Sequence, residues 1–148
     1  MRVSIRKIAD KQNEQVVIEC VEETSEIREI EVYIRSKGTE ISGIGTEHNM
    51  KQFHLTDVYY FEALDEKVFA YTLEDVYEIK MRLYEAEEAY AKHHFVRCSK
   101  SVVMNLMQLG SISPALNGRF FAHMKNGEKA IISRQNASHI KEVVMGGN

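Results

Sequence analysis

Short apolar runs separated by turn residues recur from residue 39 onward, and this pattern constrains the fold more than any other feature. The first of these runs are spaced like strands of a small sheet: TEISGIG, KQFHL and VYYFEAL. The residues DEK at 65–67 join two apolar runs as a hairpin does. Asn-Gly pairs at 117–118 and 126–127 are strong signals for two further tight turns. The sequence therefore predicts a mainly β fold of small sheets with one or two helices.

Two stretches within this region have helical features. Residues 72–92, TLEDVYEIKMRLYEAEEAYAK, offer Thr72 as a cap with Asp75 three residues further on. The predicted buried stripe of this helix is Leu73, Val76, Tyr77, Leu83 and Tyr84. Its many glutamates form an acidic face that would turn away from a polyanion. A final short helix is predicted from Gln135 to Val144, with Ser133 as its cap. Its apolar face would hold Ala137, Ile140 and Val144.

The first part of the chain has a different texture. Two strand-like runs, 2–8 and 14–22, are rich in Val and Ile. A helix is predicted after them, with Ser25 as a cap and Gly38 as a stop. A strand remains the alternative there, because some of its apolar residues also alternate: Ile30, Val32 and Ile34. We therefore expect a strand-strand-helix extension over residues 1–38.

A second domain is expected over residues 39–148, and charge supports a division of the chain. Residues 92–148 hold 8 basic against 2 acidic side chains, a net charge of +6, and four of the six histidines. The first 91 residues carry a net charge of −9, so the whole chain has a formal charge of only −3. A basic half suits a surface that meets phosphates, although solubility alone also explains such a division.

Several classes of protein lack support in the sequence. Cys20 and Cys98 stand alone, and the adjacent His93 and His94 would point to opposite faces of a strand, so we expect neither a disulfide nor a metal site. There is no apolar run of 18 residues or more, and residues 1–10 lack a secretory signal, which predicts a cytoplasmic protein without membrane insertion. Because no Gly-rich phosphate loop, nucleophile elbow or suggestive carboxylate pair occurs, we expect no enzyme and no cofactor.

The segment from about 40 to 146 resembles the LytTR DNA-binding domain of bacterial transcription regulators. The resemblance rests on three ordered blocks: DVYYFEA at 57–63, FVRCSKSVVMNL at 95–106 and LNGRFFAHMKNGEKAIISRQNASHIK at 116–141. It implies an elongated stack of small β-sheets that presents loops, and no recognition helix, to double-stranded DNA. The better-known members carry a receiver domain, for which residues 1–38 are too short, so the chain resembles the stand-alone members.

The resemblance also implies seven DNA-binding side chains: Arg134, Lys100, Arg97, Ser101, Lys67, Gln135 and Asn105. Arg134 would read base edges in a major groove, and Lys100 would meet the backbone or the minor groove. Asn105 would either touch DNA or tie the backbone together. Ser99 stands where the family commonly has His. The DEK loop would place two carboxylates beside the DNA.

Other readings remain open. Without the resemblance, the simpler role for Arg134 is an ion pair with a carboxylate near the start of the last helix, and Lys100 and Arg97 suit the edge of a sheet, where charge discourages aggregation. A protein-interaction module with a regulatory protein partner is the alternative function. Single-stranded RNA binding would use exposed aromatic side chains: Tyr59, Phe61, Phe120 and Phe121. We expect a homodimer on double-stranded DNA, because paired sites are usual for the family.

Overall fold

The computed structural model describes residues 1–145 of the chain. Three helices lie in this part: α1 (Ser25–Lys37), α2 (Leu83–Ala89) and α3 (Arg134–Met145). The strands are β1 (Glu40–Ile44), β2 (Met50–His54), β3 (Val58–Leu64), β4 (Lys67–Thr72), β5 (Val76–Ile79), β6 (Phe95–Ser99), β7 (Val102–Asn105), β8 (Leu109–Pro114), β9 (Phe120–Met124) and β10 (Lys129–Ile132). The predicted mainly β fold is confirmed. None of these helices is long and apolar enough to cross a membrane.

The strands form two antiparallel sheets. The larger has the order β2-β1-β5-β4-β3-β7-β6, and the smaller has the order β10-β9-β8. The predicted hairpins are confirmed: DEK joins β3 to β4, and each Asn-Gly pair lies between strands that pair with each other. Gly118 and Gly127 take positive φ angles of 75° and 89°, which glycine adopts without steric cost. Turn chemistry in the sequence thus determines where these three chain reversals occur.

The long helix predicted over residues 72–92 is wrong in its first half. Thr72 and Asp75 bond to each other across the turn between β4 and β5, and they cap no helix. Val76–Ile79 pairs with β4 as strand β5, because its alternating Tyr77 and Ile79 are buried there. Leu83–Ala89 is α-helical, and a 3-10 turn at Ala91–His93 follows it. Two members of the predicted stripe are therefore exposed: Leu73 and Tyr84.

The two strands predicted in residues 1–22 do not form. Runs 2–8 and 14–22 pair with no strand among residues 1–145, and between them lies a short 3-10 turn at Lys11–Asn13. Except for the half-buried Ile18, their apolar residues are exposed, because a strand without a partner buries little of its side chains. The predicted helix does form as α1. Its cap is Thr24, whose hydroxyl accepts from the Ile27 backbone N–H, and Gly38 follows its last residue.

Two hydrophobic clusters cover opposite faces of the larger sheet. Alternation along β3 sends Phe61 to one face and Tyr60 to the other. The Phe61 cluster includes Leu83 and Ala86 of α2. The Tyr60 cluster joins the larger sheet to the smaller sheet and to the buried face of α3. The larger sheet is therefore the middle layer, and the pairing of its strands determines the positions of the turns at their ends.

Candidate nucleic-acid interface

The β3–β4 turn is tight and carries two carboxylates. Asp65 and Glu66 form its two central residues, with φ angles of 50° and 65°. Two successive positive φ angles are typical of a type I′ turn, whose twist matches that of the flanking strands. Lys67 follows as the first residue of β4, and its Nζ lies 3.9 Å from Oε1 of Glu78. This turn therefore presents one cation beside two acidic side chains.

The β6–β7 turn consists of Lys100 and Ser101, and the Arg97 side chain stabilises it by a hydrogen bond to its backbone. The Arg97 Nη1 donates to the Lys100 carbonyl oxygen at 2.8 Å, and its Nε donates to Oε1 of Glu87 at 3.1 Å. The Arg97 side chain is 23% exposed, whereas Lys100 is exposed. Within residues 1–145, Lys100 has no carboxylate within 4.0 Å. Lys100 therefore keeps its charge available to a ligand.

The first turn of α3 presents Arg134 and Gln135 to solvent. Ser133 caps the helix, as predicted, because its Oγ lies 3.4 Å from the Asn136 backbone nitrogen. The aliphatic part of Arg134 packs on Gly118 so closely that a Cβ there would lie 2.9 Å from Arg134 Cδ. Among the described residues no carboxylate lies within ion-pair distance of the Arg134 guanidinium. The alternative of a carboxylate partner for Arg134 is not seen.

Two backbone hydrogen bonds bring these three segments together. The Ala63 N–H near the end of β3 donates to the Ser101 carbonyl oxygen at 2.8 Å. The Ser133 N–H donates to the Cys98 carbonyl oxygen at 2.7 Å. These bonds lie within three residues of all three segments. We call the resulting surface the loop edge: residues 65–67, 97–101 and 134–135.

The sequence did not single out Arg119, which the structure places beside the loop edge. Arg119 directly follows Gly118, on which Arg134 packs, and its side chain is exposed. The Asn-Gly signal at 117–118 indicated a turn but gave no sign that the turn meets the start of α3. A basic residue directly after a predicted turn was the only available hint.

Asn105 takes the second of the two roles considered for it. Its side chain is 2% exposed, its Nδ2 donates to the Val58 carbonyl oxygen at 2.9 Å, and its Oδ1 accepts from the Met107 N–H at 3.0 Å. Both polar atoms are therefore occupied by backbone. Asn105 has no surface to offer DNA, and we remove it from the proposed interface.

The aromatic side chains do not form a stacking platform. Tyr59 and Phe61 are 9% and 0% exposed and belong to the core. Phe120 and Phe121 are half-buried and belong to β9 of the smaller sheet. A base could not reach the first pair without opening the core. Single-stranded RNA binding through these four residues thus loses its main support.

The fold and the loop edge define a class: a β scaffold that presents basic side chains from three sequence-distant segments on one surface. Residues 48–145 match the LytTr DNA-binding domain family. The chain belongs to this family, as the sequence resemblance predicted. A solved LytTr DNA-binding domain from Bacillus cereus has the same fold, with a TM-score of 0.66 and 26% identity. The match covers 72% of this chain and 96% of that chain.

Two similar proteins are transcriptional regulators by name. An uncharacterized HTH-type transcriptional regulator of Staphylococcus aureus (strain bovine RF122 / ET3-1) is 32% identical over 89 residues. That match covers 60% of this chain and 60% of the regulator. The transcriptional regulatory protein YpdB of Escherichia coli (strain K12) is 26% identical over 91 residues, which are 61% of this chain and 37% of YpdB. The chain thus spans less than two thirds of these relatives.

Proposed function

We propose that the protein is a transcription regulator that binds specific double-stranded DNA sites through the loop edge, without enzymatic activity and without a cofactor. The observation that carries this proposal is the convergence of three loops through the Ser101 and Cys98 carbonyl oxygens. This convergence supports a single binding surface that combines basic side chains from sequence-distant segments. Family membership and the names of the relatives support the same function.

Arg134 is the proposed reader of base edges. Its stem is held against Gly118, and its guanidinium is exposed at the first turn of α3. A guanidinium fork matches the O6 and N7 acceptors of guanine, and a stem already fixed by packing loses little freedom on binding. Gln135, the next exposed residue, is the secondary reader. The positive end of the helix dipole further favours a nearby phosphate.

Lys100 is the proposed phosphate contact of the β6–β7 turn, with Ser101 as a neighbouring hydroxyl. Arg97 acts mainly through Lys100, because its own charge is already shared with Glu87 and the turn carbonyl. Lys67 contributes less, since it lies near Glu78 and beside an acidic turn. The carboxylates of that turn would repel phosphate, so we propose that they face outward or accept from a cytosine amino group.

We further propose that the protein acts in the cytoplasm as a homodimer on paired DNA sites. One loop edge offers few contacts, and two edges on a dimer would combine their affinities on a paired site. The alternative occupant of the basic surface is a regulatory protein partner. Binding that is equal on every duplex and disappears at modest salt would favour that alternative.

The test is fluorescence anisotropy with short duplexes from the protein's own upstream region, with random duplex and a salt series alongside. Arg134→Ala should weaken specific binding by about 1–3 kcal/mol and random binding much less, because a bidentate base contact is lost. Lys100→Ala should weaken both and reduce the slope of log K against log salt by about 0.9.

Lys51→Ala is the matched control for Lys100→Ala. Lys51 is an exposed lysine on β2, the strand at the opposite edge of the larger sheet from β6. Its removal should leave DNA affinity unchanged. Equal losses on specific and random duplex for Arg134→Ala would remove Arg134 from base readout.

A further inference from the structure

The first 24 residues expose more apolar surface than a soluble chain usually leaves uncovered. Val3 is 89% exposed, Ile5 is 94% exposed and Val21 is 102% exposed. They belong to runs 2–8 and 14–22, whose β-branched residues favour strands. Within the described part of the chain, neither run pairs with any strand. Both runs therefore have free backbone donors and acceptors as well as free apolar side chains.

Run 14–22 lies along α1 and leaves an open groove of about 690 Å³ between them. The apolar part of this groove is lined by Val16, Ile18, Ile27 and Ile34. Three glutamates also line it: Glu14, Glu23 and Glu31. Two arginines also line the groove, Arg28 and Arg35, and Arg35 pairs with Glu31 at 3.0 Å. The groove thus combines apolar side chains with three carboxylates, of which Glu14 and Glu23 have no ion pair within the described residues.

The chemistry of run 2–8 complements this groove. Val3 and Ile5 fall on the same face of an extended strand, and the run carries three basic residues: Arg2, Arg6 and Lys7. Run 14–22 carries three acidic residues: Glu14, Glu19 and Glu22. None of these six side chains has an ion pair within the described residues. The basic run 2–8 and the acidic run 14–22 are therefore complementary in charge.

No residue of run 2–8 lines the groove of its own chain, although Met1 lines a neighbouring cavity together with Glu19 and Glu22. Residues 9–13 connect the two runs, and Asp10 holds this connection by accepting from the Gln12 N–H at 3.0 Å. On either side of this connection, the two runs form no strand pair with each other. A second copy of the chain provides the same basic run without this constraint.

We infer that residues 2–8 of each chain pair as a β-strand with residues 14–22 of a second copy and close the groove beside α1. Val3 and Ile5 of one copy would cover Val16 and Ile18 of the other, with opposite charges at the border. The exchange is reciprocal, so a two-fold dimer satisfies both copies and leaves no arm unpaired. This inference rests on the proposed homodimer and supplies its interface.

Paired charge reversals test the inference. Arg2→Glu/Arg6→Glu reverses the basic run, and Glu19→Lys/Glu22→Lys reverses the acidic run. The wild-type protein should sediment at twice the 17.1 kDa chain mass, and each variant alone should raise the dimer dissociation constant at least about tenfold. An equimolar mixture of the two variants should restore the dimer, because each reversed run then meets its complement in the other chain.

The mixture separates exchange between copies from pairing within one chain. Pairing within one chain would leave both variants unrestored by mixing, and this result would overturn the inference. A monomeric wild type at micromolar concentration, or variants that stay dimeric, would overturn it as well. Lys51→Glu/Lys92→Glu reverses two exposed charges elsewhere and should leave the dimer intact.

A duplex with a single half-site separates this inference from the proposed function. Both variants should bind it with wild-type affinity, because the loop edge is unchanged. Restored dimers together with a wild type that binds no specific duplex would support the interface and contradict the DNA-binding function. Specific DNA binding by a wild type that never dimerises would support the DNA-binding function and contradict the interface.

Discussion

At the residue scale, Asn105 shows how a polar side chain within the core can be mistaken for a binding residue. It follows an apolar run next to the predicted interface, and the family resemblance brought it into the site. Its amide instead joins the backbone of β3 to the turn after β7, and it is as buried as its apolar neighbours. Sequence cannot separate these roles, because both need a short amide at the end of a strand.

Asn105→Ala should lower the free energy of unfolding by about 2–3 kcal/mol, because it leaves the Val58 carbonyl and the Met107 N–H unpaired in the core. Urea unfolding measures this change. Asn126→Ala is the matched control, since Asn126 makes one exposed side-chain bond to the Glu128 N–H and should cost less. Selective loss of DNA affinity by Asn105→Ala at unchanged stability would return Asn105 to the interface.

Arg134 and Lys100 were predicted through the family resemblance and not through local chemistry alone. An exposed Arg before a helix and an exposed Lys in a hairpin are common on protein surfaces. Their significance depends on two backbone hydrogen bonds, Ser133 to Cys98 and Ala63 to Ser101, which join residues far apart in sequence. No local pattern in the sequence contains this information.

At the element scale, the turns were predictable and one strand was not. Asn-Gly and DEK signals act through φ and ψ preferences of the turn residues themselves, so the hairpins could be read locally. Val76–Ile79 became strand β5 because β4 offers it an edge, and that partner lies outside any local window. The capping-box pattern at Thr72 was real chemistry, but it stabilises a turn between strands.

The β3–β4 turn contains a non-glycine residue where glycine is favoured. Glu66 has φ of 65°, and a side chain in this left-handed region costs about 1 kcal/mol. Glu66→Gly should therefore raise the free energy of unfolding by about 1 kcal/mol and the Tm by about 2–4 °C. Calorimetry measures both quantities. Glu66→Ala removes the charge but keeps the Cβ, so an equal gain from that variant would show that charge, and not backbone strain, is responsible.

At the scale of the whole molecule, paired tyrosines help to join the two sheets. Tyr60 donates to Oε2 of Glu128 at 2.6 Å, and Tyr71 donates to Oε1 of Glu62 at 2.8 Å. Their rings stack with centroids 4.5 Å apart. Burial, followed by the bond to Glu62, raises the pKa of Tyr71 to about 12, and burial with the Glu128 bond raises the pKa of Tyr60 further. Both hydroxyls thus stay protonated and bonded at neutral pH.

The protein should lose stability in alkaline solution. Burial raises the pKa of the Cys98 thiol from 9.0 to about 12, and Tyr71 rises from 10.0 to about 12. The folded state therefore binds more protons than the unfolded chain above pH 9.0, so the free energy of unfolding falls as pH rises from there toward about 12.

Urea unfolding at a series of pH values from about 8 to about 11 measures this decline in the free energy of unfolding. Tyr71→Phe should make the decline above pH 10.0 shallower, because one fewer group changes its pKa on folding. Tyr84→Phe, on an exposed side chain, is the control. A decline that is identical in wild type and Tyr71→Phe would contradict the assigned role of Tyr71.

The extension is the part of the molecule that sequence predicted least well. Val- and Ile-rich runs at 2–8 and 14–22 have the composition of strands, and α1 formed as predicted. A strand, however, needs a partner edge, and the described residues of the single chain supply none. Composition can state what a segment prefers but not whether another surface is present to receive it.

The two tethers of the loop edge, Ala63 to Ser101 and Ser133 to Cys98, are made by main-chain atoms. Any amino acid other than proline supplies the same donor, and every amino acid supplies the same acceptor. The two tethers therefore do not depend on which side chains stand at positions 67, 100, 134 and 135. Randomising positions 67, 100, 134 and 135 should yield a folded library whose members recognise different operators, so new specificities can be selected without repairing the framework.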